Sequence, residues 1–318
     1  MKKLFRGCLL ALTAALVACS DSSDNGPAPA PLLARYVLSS QDSVPEGVAF
    51  DPVGRAFYAT SLQGGSITRI AADGSETLFR AADNRARLGG VKVDAGARRL
   101  WVCANQVDGM DNRVWVFDLD SGAQVLEFLL GALSPGGDCN DLALDETGVA
   151  FVTDPANPFI YRLDPASEQG EVLASDPLFN DITGAGLGLN GIALSPAGDA
   201  LLVAKFAPAG LLRVSLPDAA SITQVTLSGD ALPPPDGLAV LDGELYAVSD
   251  RAVSRVRLGA GGTTGEVSVA EQISGLSTAT VADDQLYVIK SEVFNYVLNR
   301  PLQLPFEIFR VDLAGFPP

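Results

Sequence analysis

The chain has 318 residues, with 22 Lys and Arg against 38 Asp and Glu, a formal charge of −16, and no histidine. A phosphate backbone needs clustered cations, so this balance excludes nucleic acid as a partner. The missing imidazole excludes His-activated nucleophiles, histidine general bases and His-ligated zinc, and leaves chemistry that runs on oxygen. Hydrophobic residues make up 47% of the chain, ample for one large domain or two average ones.

At the N-terminus, "MKKLFRG" supplies positive charge and "CLLALTAALVA" an apolar run too short to span a bilayer as a mature helix. Residues 1–18 therefore read as an export signal. The run ends in "LVAC", Leu16 to Cys19, which resembles the bacterial lipobox. That resemblance implies cleavage before Cys19 and a lipid on its thiol; the plainer reading is an ordinary leader with a stray cysteine. Residues 19–34, with "SDSSDNGPAPAP", read as a flexible tether. Ser20, rather than Asp, after the cysteine implies an outer-membrane destination in a Gram-negative cell. The expectation is a cell-envelope lipoprotein that touches the membrane through its lipid alone.

From residue 35 to 318 the texture changes to short alternating or apolar runs separated by Gly, Pro, Asp and Asn, with no convincing amphipathic helix. One pattern recurs: a small or polar residue, an apolar run, a tight turn and a second apolar run. In chain order the copies are "EGVAFDPVGRAFYATS" from Glu46, "GGVKVDAGARRLWVCAN" from Gly89, "NDLALDETGVAFVTD" from Asn140, "NGIALSPAGDALLVAK" from Asn190, "DGLAVLDGELYAVSD" from Asp236 and a weaker "STATVADDQLYVIKS" from Ser277. Most are followed by a further apolar segment such as "SITRIAADG", "FIYRLDP" or "FEIFRVDL", which suits the third strand of a blade. Six copies at a spacing of about forty to fifty residues predict an all-β, six-bladed β-propeller in one closed domain.

The first residue of each copy occupies one structural slot, facing the central channel at one end. Around the ring the slot holds Glu46, Gly89, Asn140, Asn190, Asp236 and Ser277. Each acidic or amide residue alone is also a turn signal. Four hard oxygen donors on one repeat-equivalent position point instead to a divalent metal, calcium first, with magnesium, manganese or zinc as substitutes. Buried channel acids without a cation would be costly. Besides Cys19, the exported chain keeps Cys103 and Cys139, which at one end of neighbouring blades are a candidate disulfide or two buried thiols.

The segments "PEGVAFDPVG", "NDLALDETGVAFVTD", "NGIALSPAGDALLVA" and "PDGLAV" resemble the signature stretches of the regucalcin, gluconolactonase and diisopropyl fluorophosphatase superfamily, over about residues 36 to 314. The resemblance implies a six-bladed propeller with one divalent metal in its channel. Carried over residue by residue, it implies Glu46, Asn140, Asn190 and Asp236 as metal ligands and Asp236 as the catalytic base or nucleophile. The Arg that sugar-lactone members carry two residues before the first asparagine is Asp138 here, and the Trp after the PEG segment is absent. These departures favour a neutral lactone or ester over an acidic sugar lactone.

Three functions are consistent with these residues. The first is a metal-dependent hydrolase of lactones or related esters, acting on a small molecule as a monomer. The second is a non-catalytic propeller whose metal ties the blades together while it binds a ligand or partner at the cell surface. The third, a metal-free channel acid, is opposed by the complete ligand set.

Overall fold

In each repeat copy the segment after the tight turn becomes the most buried strand of a sheet. Ala56–Ser61 and Ala200–Lys205 are buried at every residue, because they lie in mid-sheet with neighbouring sheets on both faces. The turns follow from local chemistry. In "DETG", one Asp145 carboxylate oxygen accepts from the Thr147 and Val149 amides at 2.8 and 3.0 Å, and Gly148 takes φ +83°, a region that disfavours a side chain.

The computed structural model describes residues 30–316, apart from 110 and 185. The expected leader 1–18, Cys19 and most of the 19–34 tether lie outside the described residues. Six antiparallel sheets follow in chain order. The first comprises Pro45–Asp51, Ala56–Ser61, Ile67–Ala71 and Glu76–Arg80, and the second Ala86–Asp94, Arg99–Gln106, Arg113–Asp118 and Gln124–Leu129. The third holds Leu142–Leu144, Ala150–Thr153, Phe159–Asp164 and Gln169–Ser175, and the fourth Leu189–Leu194, Ala200–Lys205, Gly210–Ser215 and Ile222–Gln224. The fifth, Leu238–Leu241, Glu244–Ser249, Ala252–Leu258 and Thr264–Glu271, gains an outer strand, Thr226–Gly229, paired parallel to Thr264–Glu271. The sixth joins Leu276–Ala282, Gln285–Lys290 and Glu307–Arg310 to Arg35–Val37 from the start of the domain. The first strands of the six sheets adjoin one another in a closed ring around a channel. This is a six-bladed propeller, and its last blade is completed by both ends of the chain.

Apolar clusters fill the spaces between blades. One packs Tyr36, Phe57, Tyr287 and Phe306 between the last and first blades, and another packs Trp101, Leu130, Leu142 and Tyr161 between the second and third. One α-helix occurs among the described residues, Val293–Val297, in the connection between the second and third strands of the last blade.

Candidate metal centre in the channel mouth

The slot residues sit where the inner strands break register. In four blades the pairing skips there: Pro45 faces Ser61 but Val48 faces Ala59, so Glu46 and Gly47 are squeezed opposite one residue. The same shift encloses Gly89 and Gly90, Asn190 and Gly191, and Ser277 and Thr278. In the other two blades Asn140 and Asp236 stand two residues before the regular strands that begin at Leu142 and Leu238. A bulge re-aims a side chain that regular pleating would bury against the next blade. Gly47 shows why glycine follows the slot, since a Cβ there would lie 2.6 Å from the Gly89 carbonyl oxygen of the next blade.

The backbone carbonyl of every slot residue accepts a hydrogen bond from the preceding blade. Thr60 Oγ1 donates to Gly89 at 2.7 Å, the Gly90 amide to Asn140 at 2.9 Å, and Thr153 Oγ1 to Asn190 at 2.6 Å. The Gly191 amide donates to Asp236 at 2.7 Å and the Gly237 amide to Ser277 at 2.9 Å, and Ser277 Oγ closes the circle on Glu46 at 2.7 Å. With their carbonyls held along the ring, the side chains of Glu46, Asn140, Asn190 and Asp236 are left for the channel.

Glu46, Asn140, Asn190 and Asp236 are brought together on one cavity of about 550 Å³ at the mouth of the channel. Glu46 Oε2 and Asn190 Oδ1 are buried without any hydrogen-bond partner, as is Thr278 Oγ1 just below. Two carboxylates and two carboxamides on one cavity, with one oxygen of Glu46 and one of Asn190 bare, fit a hard divalent cation. Among the described residues no group of three His, Cys, Asp or Glu side chains forms a metal cluster.

The electrostatics point the same way. Burial pushes the Asp236 carboxyl up to about 7, the neighbouring Asp141 adds to the rise, and a hydrogen bond with Asn190 pulls against it. Glu46 is held well above the ordinary carboxylate value by burial, then by Asp236 and Asp141, with Lys92 opposing. Negative charge crowded into a dry site is the condition a cation relieves.

Asp141 and Lys92 are the channel residues that sequence reasoning missed. Lys92 Nζ donates to Asp141 at 3.1 Å immediately inside the mouth, and Asp141 also accepts from the Leu142 amide at 2.8 Å. The available signal was that Asn140 is followed by Asp where Glu46, Gly89, Asn190 and Asp236 are followed by Gly. Asp138 stands on the cavity wall, where it accepts from Asn112 Nδ2 at 3.2 Å, and its carboxyl is raised by burial. The Arg87 side chain lines the same cavity without an ion pair or hydrogen bond among the described residues. Cys103 and Cys139 are joined by a disulfide, with Cα atoms 5.3 Å apart. Asn105 clamps the Cys139 backbone from the other side, donating to its carbonyl at 2.7 Å. The residue before Asn140 is thus fixed twice.

The ring defines a six-bladed propeller with an oxygen-lined channel opening, and known structures share the propeller fold. Over 85% of this chain and 88% of its own, a gluconolactonase from Xanthomonas campestris superimposes with a TM-score of 0.62 at 19% identity. The calcium-binding protein regucalcin from Agrobacterium tumefaciens gives 0.63 at 14% identity, over 88% of this chain and 94% of its own. The Malassezia sympodialis allergen Mala s 1 gives 0.73 at 14% identity, over 89% and 97%. No protein-family model and no curated protein matches the sequence. At these identities the likeness is one of fold, which by itself serves several functions.

Proposed function

We propose that this protein is a divalent-metal-dependent hydrolase of lactones or related esters, exported and held in the cell envelope by a lipid on Cys19. The observation that carries the reading is the convergence of Glu46, Asn140, Asn190 and Asp236 on one cavity, with Glu46 Oε2 and Asn190 Oδ1 bare. The gluconolactonase and regucalcin structures of the same fold support it. Calcium is the cation the oxygen set favours, and once bound it supplies Lewis-acid polarisation of the substrate carbonyl. Glu46 and Asp236 would balance its charge, and Asn140 and Asn190 would complete its oxygen set.

The chain's own residues account for the remainder. Asp236, kept as the carboxylate by the cation's charge, would take a proton from the attacking water. The water oxygen bonds to the carbonyl carbon, the ring C–O bond breaks, and the proton passes to the departing alkoxide to give a hydroxy acid. Lys92 holds Asp141 in an ion pair and keeps that carboxylate out of the reaction.

The test is a screen of lactones, esters and phosphotriesters with calcium-loaded protein, EDTA-treated protein and Asp236→Asn. Hydrolysis confined to the loaded wild type is expected, and activity surviving both perturbations would falsify the mechanism. Tight metal binding with no turnover would instead favour the surface-binding reading. Lipidation is checked by mass spectrometry of the N-terminus: a diacylglyceryl Cys19 is expected, and an unmodified start downstream of it in native membranes rejects the anchor.

A further inference from the structure

We propose that the mouth is built for lactones bearing an aliphatic chain rather than for polyhydroxylated ones; this deepens the hydrolase reading and rests on it. The connection between the second and third strands of the last blade runs over 291–306, against 62–66 in the first blade, and it carries the helix Val293–Val297. Val293, Phe294, Tyr296 and Val297 from this insertion line the same cavity as the four oxygen ligands.

The insertion is a formed wall. Phe294 stacks on Phe206 of the fourth blade, centroids 5.8 Å apart and planes at 21°. Val293 and Tyr296 pack against the buried cluster of Tyr36, Phe57 and Phe306. Beneath the helix Glu292 accepts from Asn295 Nδ2, and its amide donates to the Gly275 carbonyl at 2.9 Å. Pinned to the fourth blade and to the seam of the first and last, the helix nonetheless leaves Val297 68% exposed. Leu62, which packs on the same cluster as Val293 and Tyr296, and Val107 and Leu187 add apolar surface to the cavity, with Val107 49% exposed.

Sugar lactones carry several ring hydroxyls, each of which needs a partner on leaving water. The polar liners Arg87, Asn105, Gln106 and Asp138 belong to the second blade and the start of the third, whereas Val293, Phe294 and Val297 of the insertion, with Leu62, offer none. An alkyl chain extending from a lactone ring seated over Asp236 and Asn140 meets apolar surface and gains by burial. A fully buried methylene is worth about a fourfold gain, and a half-open wall reduces that to about twofold.

The experiment measures kcat/KM with calcium for γ-butyrolactone, γ-hexalactone, γ-octalactone, γ-decalactone and glucono-δ-lactone. Calorimetry of the product carboxylates 4-hydroxybutanoate, 4-hydroxydecanoate and gluconate accompanies it. The expected result is a rise of about two- to fourfold per methylene until the chain outruns the wall. Decalactone should be preferred over gluconolactone, and 4-hydroxydecanoate should bind most tightly. Val297→Asp should flatten the chain-length slope toward one, while Val53→Asp, on the exposed turn of the first blade, should leave the slope unchanged. A flat wild-type slope, or preference for gluconolactone, overturns the inference and leaves the hydrolase reading standing. If no lactone is hydrolysed the hydrolase reading fails, and the calorimetric order alone then decides whether the mouth prefers the apolar chain.

Discussion

Breaking the Cys103–Cys139 bridge should cost stability in proportion to the chain it encloses. The cysteines are 36 residues apart in sequence, and the bond joins the second blade to the start of the third. Loop-closure entropy for such a loop is about 13 cal/mol/K, or roughly 4 kcal/mol at 25 °C, borne by the unfolded chain. For a domain of this size the loss corresponds to a fall in Tm of roughly 7–10 °C. The assay is differential scanning calorimetry of the oxidised protein, of the protein treated with a phosphine reductant, and of a Cys103→Ala/Cys139→Ala double variant. Reduced wild type and the double variant should agree to within the small cost of two truncated buried side chains. A Tm unmoved by complete reduction, confirmed by thiol titration, would refute the reasoning, because it would mean that the unfolded chain gains nothing when the bridge opens.

Asp51 is buried beneath Arg98, whose Nη1 donates to it at 2.7 Å. Burial alone would raise its carboxyl, but the Arg98 bond and the Gly54 and Val53 amides outweigh it and hold the group below its ordinary value. A depressed carboxyl contributes stability that is present above the unfolded value and lost as pH falls through the folded one. Arg98→Ala should therefore cost about 3–5 kcal/mol at pH 7 by urea titration, with the deficit shrinking below about pH 4. An equal deficit at pH 3 and pH 7 would contradict this. Calcium at a hundred times its Kd should stabilise the wild type by about 2.7 kcal/mol. Glu46→Gln and Asp236→Asn should abolish most of that gain and Asn140→Ala less of it, as read from calcium-dependent Tm.

The propeller was legible because its repeat is written in side chains that every blade needs: an apolar run, an Asp or Ser turn and a buried second strand. The mouth was legible because Asn140 and Asn190, fifty residues apart, head the same pattern. What escaped depended on distant partners or on geometry without a residue code. Arg35–Val37 is too short to announce a strand, and its partner Glu307–Arg310 lies at the far end of the chain. Thr226–Gly229 pairs in parallel with a strand almost forty residues on, a contact no local pattern encodes. "VFNYV" is a single helical turn hidden among strands, held by Phe206 rather than by propensity. The glycines after Glu46, Gly89 and Asn190 showed where the backbone comes close, but not that the inner strand bulges there.

The ring of hydrogen bonds around the mouth uses the carbonyl of every slot residue and, apart from Ser277, whose hydroxyl closes the ring on Glu46, leaves the side chains out of the accounting. A blade can therefore exchange what it presents to the channel without loosening its grip on the next blade, much as teeth can be changed in a socket that keeps its shape. Gly89 is the tightest of these places: a Cβ there would stand 3.1 Å from the Asn140 carbonyl and 3.3 Å from Glu46 Oε2, so a larger residue requires those neighbours to give by a few tenths of an ångström. Four positions, Glu46, Asn140, Asn190 and Asp236, remain free to vary, and a lineage can pass from one reactivity to another, or to none, along a path on which the ring's own hydrogen bonds are kept.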